Sequence, residues 1–256
     1  MIDKNIIKQQ FNNYVKDYDA GNPKIALKIA HTFRVADISE RIAKDIGLDI
    51  EEQNLSWAIG MLHDIGRFEQ VKRYNTFFDG QSVNHALFGA SLLFEEDLIK
   101  CFEIPKKYYS IIKVAIINHN KFRMDEGLTD YELTYCKIIR DADKVDILRV
   151  NYESPMEEIY NTNREVLITE KITDAVYEAF FQNTAIEHKL KTTHIDHLIG
   201  HLSLISELEY PISVEILKEM GYLEKLLEFK SNNPETNERL KNIRNYFIEK
   251  NIINKK

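Results

Sequence analysis

Among residues suited to chemistry, the eight histidines of this chain stand out by their placement. His31, His63, His85 and His119 fall within or at the end of four separate stretches of helical periodicity, while the other four crowd into residues 188–201. A single helix histidine is most often a hydrogen-bonded core or surface residue. The company these keep argues for more. His63 is followed directly by Asp64, at the end of the apolar run Ala58, Ile59, Gly60, Met61, Leu62. Burying even an uncharged polar group without a partner costs about 2–7 kcal/mol, so an ionisable pair placed there needs one. A divalent cation would serve. His31 sits in a second apolar setting with Ala30, Phe33 and Val35, and Asp143 lies where Ile138, Ile139, Ala142 and Val145 alternate with Arg140, Asp141, Lys144 and Asp146.

Helices must position these residues, because the periodicity is helical nearly everywhere. Ile6, Ile7, Phe11 and Tyr14 form an amphipathic start that stops near Gly21 and Asn22. Pro23 is suited to a first helical turn, Ile25, Ile29, Phe33, Ala36 and Ile42 continue at spacings of three and four, and Gly47 closes that helix. Further helices are expected over 51–64, 82–95, 105–119, 130–150, 169–190, 193–208, 213–229 and 234–250. Thr129 with Glu132, and Ser154 with Glu157, fit capping boxes. Residues 66–80 are the least helical stretch, and 121–129 read as a second loop. No period-2 run and no repeat is present. The segment 151–163 is the expected boundary between a core, 1–150, and a C-terminal helical extension, 151–256.

The ordered set His31, His63-Asp64 and Asp143 resembles the HD-domain metal-dependent phosphohydrolases. So do His-Asp-Ile-Gly-Arg-Phe-Glu-Gln at 63–70, Asn-His-Ala at 84–86, Asn-His-Asn-Lys at 118–121 and Arg-Asp-Ala-Asp-Lys at 140–144, in the form found in many small bacterial HD proteins. The resemblance covers about residues 25–150 and implies an all-α HD-domain helical bundle with a divalent metal as cofactor. It assigns His31, His63, Asp64 and Asp143 to one ion. In HD subgroups with two extra histidines, those bind a second ion and the central aspartate bridges, which here means His85, His119 and Asp64. The bland reading of His85 and His119 is a phosphate contact or a neutral core residue.

Residue chemistry agrees with a metal. Adjacent helix residues project about 100° apart, so His63 and Asp64 can face one ion only at a packed junction of several helices. Imidazoles with one or two carboxylates suit an open catalytic site, and such ligands accept Mn, Fe, Co, Ni or Zn. Cations cluster beside them: Arg34 one turn beyond His31, Arg67 after the His-Asp pair, Lys121 after His119, and Arg140 and Lys144 flanking Asp143. A small phosphorylated substrate would use them, Arg67 and Lys144 together with Asp64 acting in catalysis; salt bridges to Glu40, Asp141 or Asp146 are the alternative for Arg34 and Arg140. His194, His197 and His201 share one helix face, read as solvated or packed between lobes. There is no Gly-rich phosphate loop, G-x-S-x-G, H-E-x-x-H or paired C-x-x-C.

Composition bounds the rest. The 256 residues are 44% hydrophobic and 29% charged, which suits a soluble globular chain. Nine glycines and five prolines are few for a turn-rich β architecture. A formal net charge of −7 disfavours bulk nucleic-acid binding and anionic membranes. Two cysteines and no secretory or membrane-spanning run point to a reducing, cytoplasmic setting. The expected activity is hydrolysis of a nucleotide or small phosphate ester by a metal-activated water. A di-iron oxygenase and a non-catalytic metal-bound sensing module are the alternatives; oligomeric state is not legible.

Overall fold

A computed structural model describes residues 1–19, 21–155, 159–160 and 162–254, and among them no strand occurs. The elements are α1 (Lys4–Val15), α2 (Pro23–Asp45), α3 (Ile50–Leu62), α4 (Ile65–Tyr74), α5 (His85–Phe94), α6 (Tyr109–His119), α7 (Asp130–Glu153), α8 (Arg164–Leu167), α9 (Asp174–Phe180), α10 (His194–Ser203), α11 (Pro211–Met220), α12 (Tyr222–Leu226) and α13 (Pro234–Glu249). Among the described residues no helix is long and apolar enough to cross a membrane. The chain divides into two compact units, Met1–Asp143 and one beginning at Lys144. That division lies inside α7, earlier than the boundary expected at 151–163. The helix runs unbroken through the division and ends at Glu153, so no break in periodicity marks the division. The capping box expected at Ser154 and Glu157 needs Glu157, which lies outside the described residues.

In the first unit, local signals start the helices. Asn22 accepts from Lys24 N ahead of Pro23, and Gly47, with φ 83°, follows the α2 end. Asp49 and Glu52 form a reciprocal cap on α3, as Thr129 and Glu132 do on α7. Helices α2 and α3 pack as an antiparallel hairpin whose closest approach needs Gly60, where a Cβ would stand 2.5 Å from Ala36 Cα. Helix α1 adds Phe11, edge-on to Phe33 at 5.5 Å and Phe68 at 5.7 Å. Of residues 66–80, expected as the least helical stretch, 75–78 are irregular, while 66–74 instead belong to the helix α4. Ile65, Phe68 and Val71 at spacings of three supply its buried face, and the polar and aromatic residues around them obscured it. Cys136 is buried in α7, where desolvation pushes its thiol up to about 12, while Cys101 is exposed. A thiol reagent at neutral pH should therefore label one cysteine in folded protein and two after denaturation; rapid labelling of both would show that this part of α7 opens.

The second unit is also helical but more broken than its periodicity suggests. The helix expected over 169–190 is two pieces, α9 and a 3₁₀ turn at His188–Leu190. Tertiary partners hold the irregular backbone: Thr173 N donates to Asp196, Ile172 N to Thr236, Ala185 N to Glu207 and Ile186 N to Ser203. Likewise 213–229 is divided at Gly221, with φ 67°, into α11 and α12. Phe180 packs edge-on against Phe247 at 5.6 Å in the core of this unit.

Candidate metal centre

Five chain segments of the first unit converge on one carboxylate. Helix α2 presents Lys28 and His31 one turn apart on the same face. His63 and Asp64 occupy the break between α3 and α4, as the last cap of one and the first of the other. His85 opens α5, its position fixed by Asn84, whose side chain accepts from Ala86 N and Leu87 N. His119 closes α6, and Asp143 comes from α7. All four histidines and Asp64 are buried.

Asp64 has a different environment at each oxygen. Its Oδ2 lies 3.4 Å from His63 Nε2 and 3.6 Å from His31 Nε2, and the latter is 3.1 Å from Asp143 Oδ1. Its Oδ1 lies 3.4 Å from His85 Nε2 and 3.8 Å from His119 Nε2. The six residues predicted as ligands thus come together as two sets sharing one carboxylate. His31, His63 and Asp64 form a group able to hold an ion, as do Asp64, His85 and His119.

The ring nitrogens settle what these sets can accept. His119 Nδ1 donates to Ile116 O at 2.6 Å and His63 Nδ1 to Gly60 O at 2.7 Å, since a carbonyl can only accept. His85 Nδ1 donates to the Asp79 carboxylate at 2.6 Å. Each Nε2 therefore carries a lone pair turned inward. His85 and His119 bring two such lone pairs within 3.0 Å of each other, an arrangement that needs a cation beside it. Burial, with His85 and His63 nearby, pushes His119 down to about 3, and burial and Arg67 push His85 down as well. Both are neutral ligands at physiological pH. Burial opposes ionisation of Asp64, yet the Lys28 ammonium holds its carboxyl well below the usual carboxylate range. Desolvation likewise opposes ionisation of Asp143, and His31 overcomes it. Neutral imidazoles around ionised carboxylates are the donor set a divalent transition metal takes.

Residues 29–148 match the family model of the HD domain. This stretch is an HD domain. No curated protein and no solved structure matches the chain. HD domains are typically metal-dependent hydrolases, and the His and Asp clusters of this one can hold metal.

The cations expected around the HD-domain site are distributed unevenly. Arg67 stands beside it, Nε 3.6 Å from Asp64 Oδ1, with Nη1 donating to Asp79 at 2.8 Å, Gln70 at 2.8 Å and Phe77 O at 2.6 Å. Arg34 is half-buried on α2, one turn beyond His31, and Glu40 pairs with Lys4 at 2.6 Å. Lys121 is paired with Asp125 at 2.6 Å. Arg140 Nη1 donates to the carbonyls of Asn118 at 3.0 Å, His119 at 3.3 Å and Lys121 at 2.5 Å, closing the end of α6. Lys144 Nζ lies 3.0 Å from Glu207 Oε2 within the second unit. In that unit His194 pairs with Glu170 at 2.7 Å, and the His197 ring meets that of His188.

Two residues of the centre escaped the sequence reading. Lys28 is buried with Nζ 2.5 Å from Asp64 Oδ2, and its signal was the three-residue spacing to His31. Asp79 lies in the connection between α4 and α5, where nothing in its neighbours marks it.

Proposed function

We propose that this HD domain hydrolyses a phosphate ester, a nucleotide or small phosphorylated metabolite, with two divalent ions held by His31, His63, Asp64 and Asp143 and by Asp64, His85 and His119. The observation that carries this reading is the Asp64 carboxylate, each oxygen facing the Nε2 atoms of its own pair of histidines. Such ions supply polarisation of phosphoryl oxygens and acidification of water. The chain's own residues do the rest. Asp64 fixes the spacing of the two subsites, and its carboxylate can orient a water between them. Lys28 and Arg67 approach that carboxylate from α2 and α4, at 2.5 and 3.6 Å, and add positive charge where a phosphoryl group gains negative charge. These two cations favour a phosphate ester over an uncharged oxygenase substrate. Arg34 is a further phosphate contact in this scheme. Lys121, Arg140 and Lys144 are the remaining cations of the scheme, engaged in this structure by Asp125, by backbone carbonyls and by Glu207.

The test is metal analysis of purified protein, followed by an activity screen over nucleotides and phosphomonoesters with Mn²⁺, Co²⁺ or Zn²⁺ added. Turnover of a phosphate ester that depends on added metal supports the reading. A coloured iron centre with no phosphatase activity would replace it with dioxygen chemistry, and ligand binding without turnover would replace it with sensing. Substituting both His85 and His119 by Ala should cut bound metal by about half. Unchanged metal content in that variant would return both histidines to a non-ligand role.

A further inference from the structure

Asp79 touches the ligand set described above through His85, and no ligand role uses it. Its Oδ2 accepts from His85 Nδ1 at 2.6 Å, and its Oδ1 accepts from Arg67 Nη1 at 2.8 Å and Gln70 Nε2 at 3.0 Å. Gln70, fully buried, is itself fixed by Ser82 Oγ at 2.9 Å and Val83 O at 3.1 Å. The carboxylate is thus held from α4 on one side while it holds α5 on the other.

The neighbour on the other side of His85 gives this contact its meaning. Asn120 Nδ2 lies 3.4 Å from His85 Nδ1 and 3.3 Å from Asp79 Oδ2. An amide nitrogen only donates. With Asp79 present, Nδ1 carries the proton and Nε2 is a ligand. With Asp79 removed, Asn120 becomes the partner of Nδ1, the proton moves to Nε2, and it points at His119 and Asp64.

We propose that Asp79 is a positioning residue for the second divalent ion: it selects the His85 tautomer whose Nε2 can bind metal, and Arg67 and Gln70 hold it in place. This inference rests on the two-ion reading. An outer carboxylate of this kind is worth about 10–100-fold in metal affinity.

Two measurements on metal-free protein test it: Zn²⁺ titration by calorimetry, and ¹⁵N-histidine NMR, which reads each ring's tautomer directly. Wild type should take up two ions and show His85 with its proton on Nδ1. Asp79→Ala should keep one ion at wild-type affinity, lose about 10–100-fold for the other, and show His85 with its proton on Nε2. Adding Asn120→Asp to Asp79→Ala restores a carboxylate beside Nδ1 and should recover both readouts, which a merely structural role would not allow. Asp79→Asn preserves the side-chain volume, serves if the Ala variant does not fold, and should lose the second ion in the same direction. Two wild-type affinities in folded Asp79→Ala or Asp79→Asn, or an unchanged His85 tautomer, would overturn the inference while leaving the metal reading intact. Wild-type protein that binds fewer than two ions would remove the two-ion reading and this inference together.

Discussion

Asp64→Asn is expected to abolish metal retention at both subsites and to destabilise the metal-free protein by about 3–5 kcal/mol. The first effect follows because the one carboxylate shared by both ligand sets becomes a neutral amide. The second follows from Lys28. Lys28 is 8% exposed and its ammonium sits 2.5 Å from Asp64 Oδ2, so the amide leaves a buried charge with its counter-charge gone. Lys28→Met should destabilise as well, since it leaves the carboxylate with only the imidazoles and the more distant Arg67. The double variant should be more stable than the sum of the two losses implies, because neither charge is then stranded. Elemental analysis and equilibrium unfolding without metal measure the two parts separately. Full metal occupancy in Asp64→Asn would end the assignment of the centre. Strict additivity of the two losses would show that the pair is not coupled.

Gly66→Val is expected to have the next largest effect, at a position that touches no ion. A Cβ at Gly66 would stand 2.4 Å from His85 O and 2.6 Å from Gly89 N. These are backbone atoms and cannot rotate away, so α4 and α5 must part by about an ångström to reach ordinary contact. Overpacking of this kind costs about 1–3 kcal/mol, and the branched side chain puts the variant at the upper end. His85 leads α5 and moves with it, while His31, His63 and Asp143 have no such tie to the crossing. The second ion should therefore be lost and the first retained. Gly80→Ala, where nothing lies within 4 Å of the added Cβ, is the control that should change neither. Zn²⁺ titration and thermal unfolding of both variants decide it; two ions bound with wild-type affinity in Gly66→Val would show that the crossing does not set the His85 position.

The sequence exposed ligand types more readily than the side chains that aim them. Histidine and aspartate inside apolar runs are anomalous on sight, which marked His31, His63, Asp64 and Asp143; the family resemblance added His85 and His119, and the structure brings the six together. Lys28 was not legible because a lysine on an amphipathic helix is ordinarily solvated; only the packing of α2 against the α3–α4 break buries it. Asp79 was not legible because a loop aspartate is the commonest of turn residues. Pro23, Gly47 and the Thr129–Glu132 box marked helix ends correctly, since a local cap decides them. The breaks in the second unit depend on Asp196, Glu207 and Thr236, which lie distant in sequence from the backbone they hold. Periodicity has no means of seeing them.

The break between α3 and α4 makes the His-Asp dipeptide a poor candidate for transplantation. His63 keeps helical torsions, φ −57° and ψ −38°, while Asp64 departs to φ −106° and ψ 16°. That single departure turns two neighbouring side chains toward one point. Asp64 stands where an aspartate ordinarily caps the following helix, yet it makes no capping bond to α4. Its carboxylate is reserved for the centre, and α4 starts without that help. Grafted into an uninterrupted helix of another scaffold, the same two letters would splay about 100° apart and regain a solvated surface. What would have to be carried across is the interruption itself, together with the flanking apolar residues of α3 and α4 that bury both sides of it.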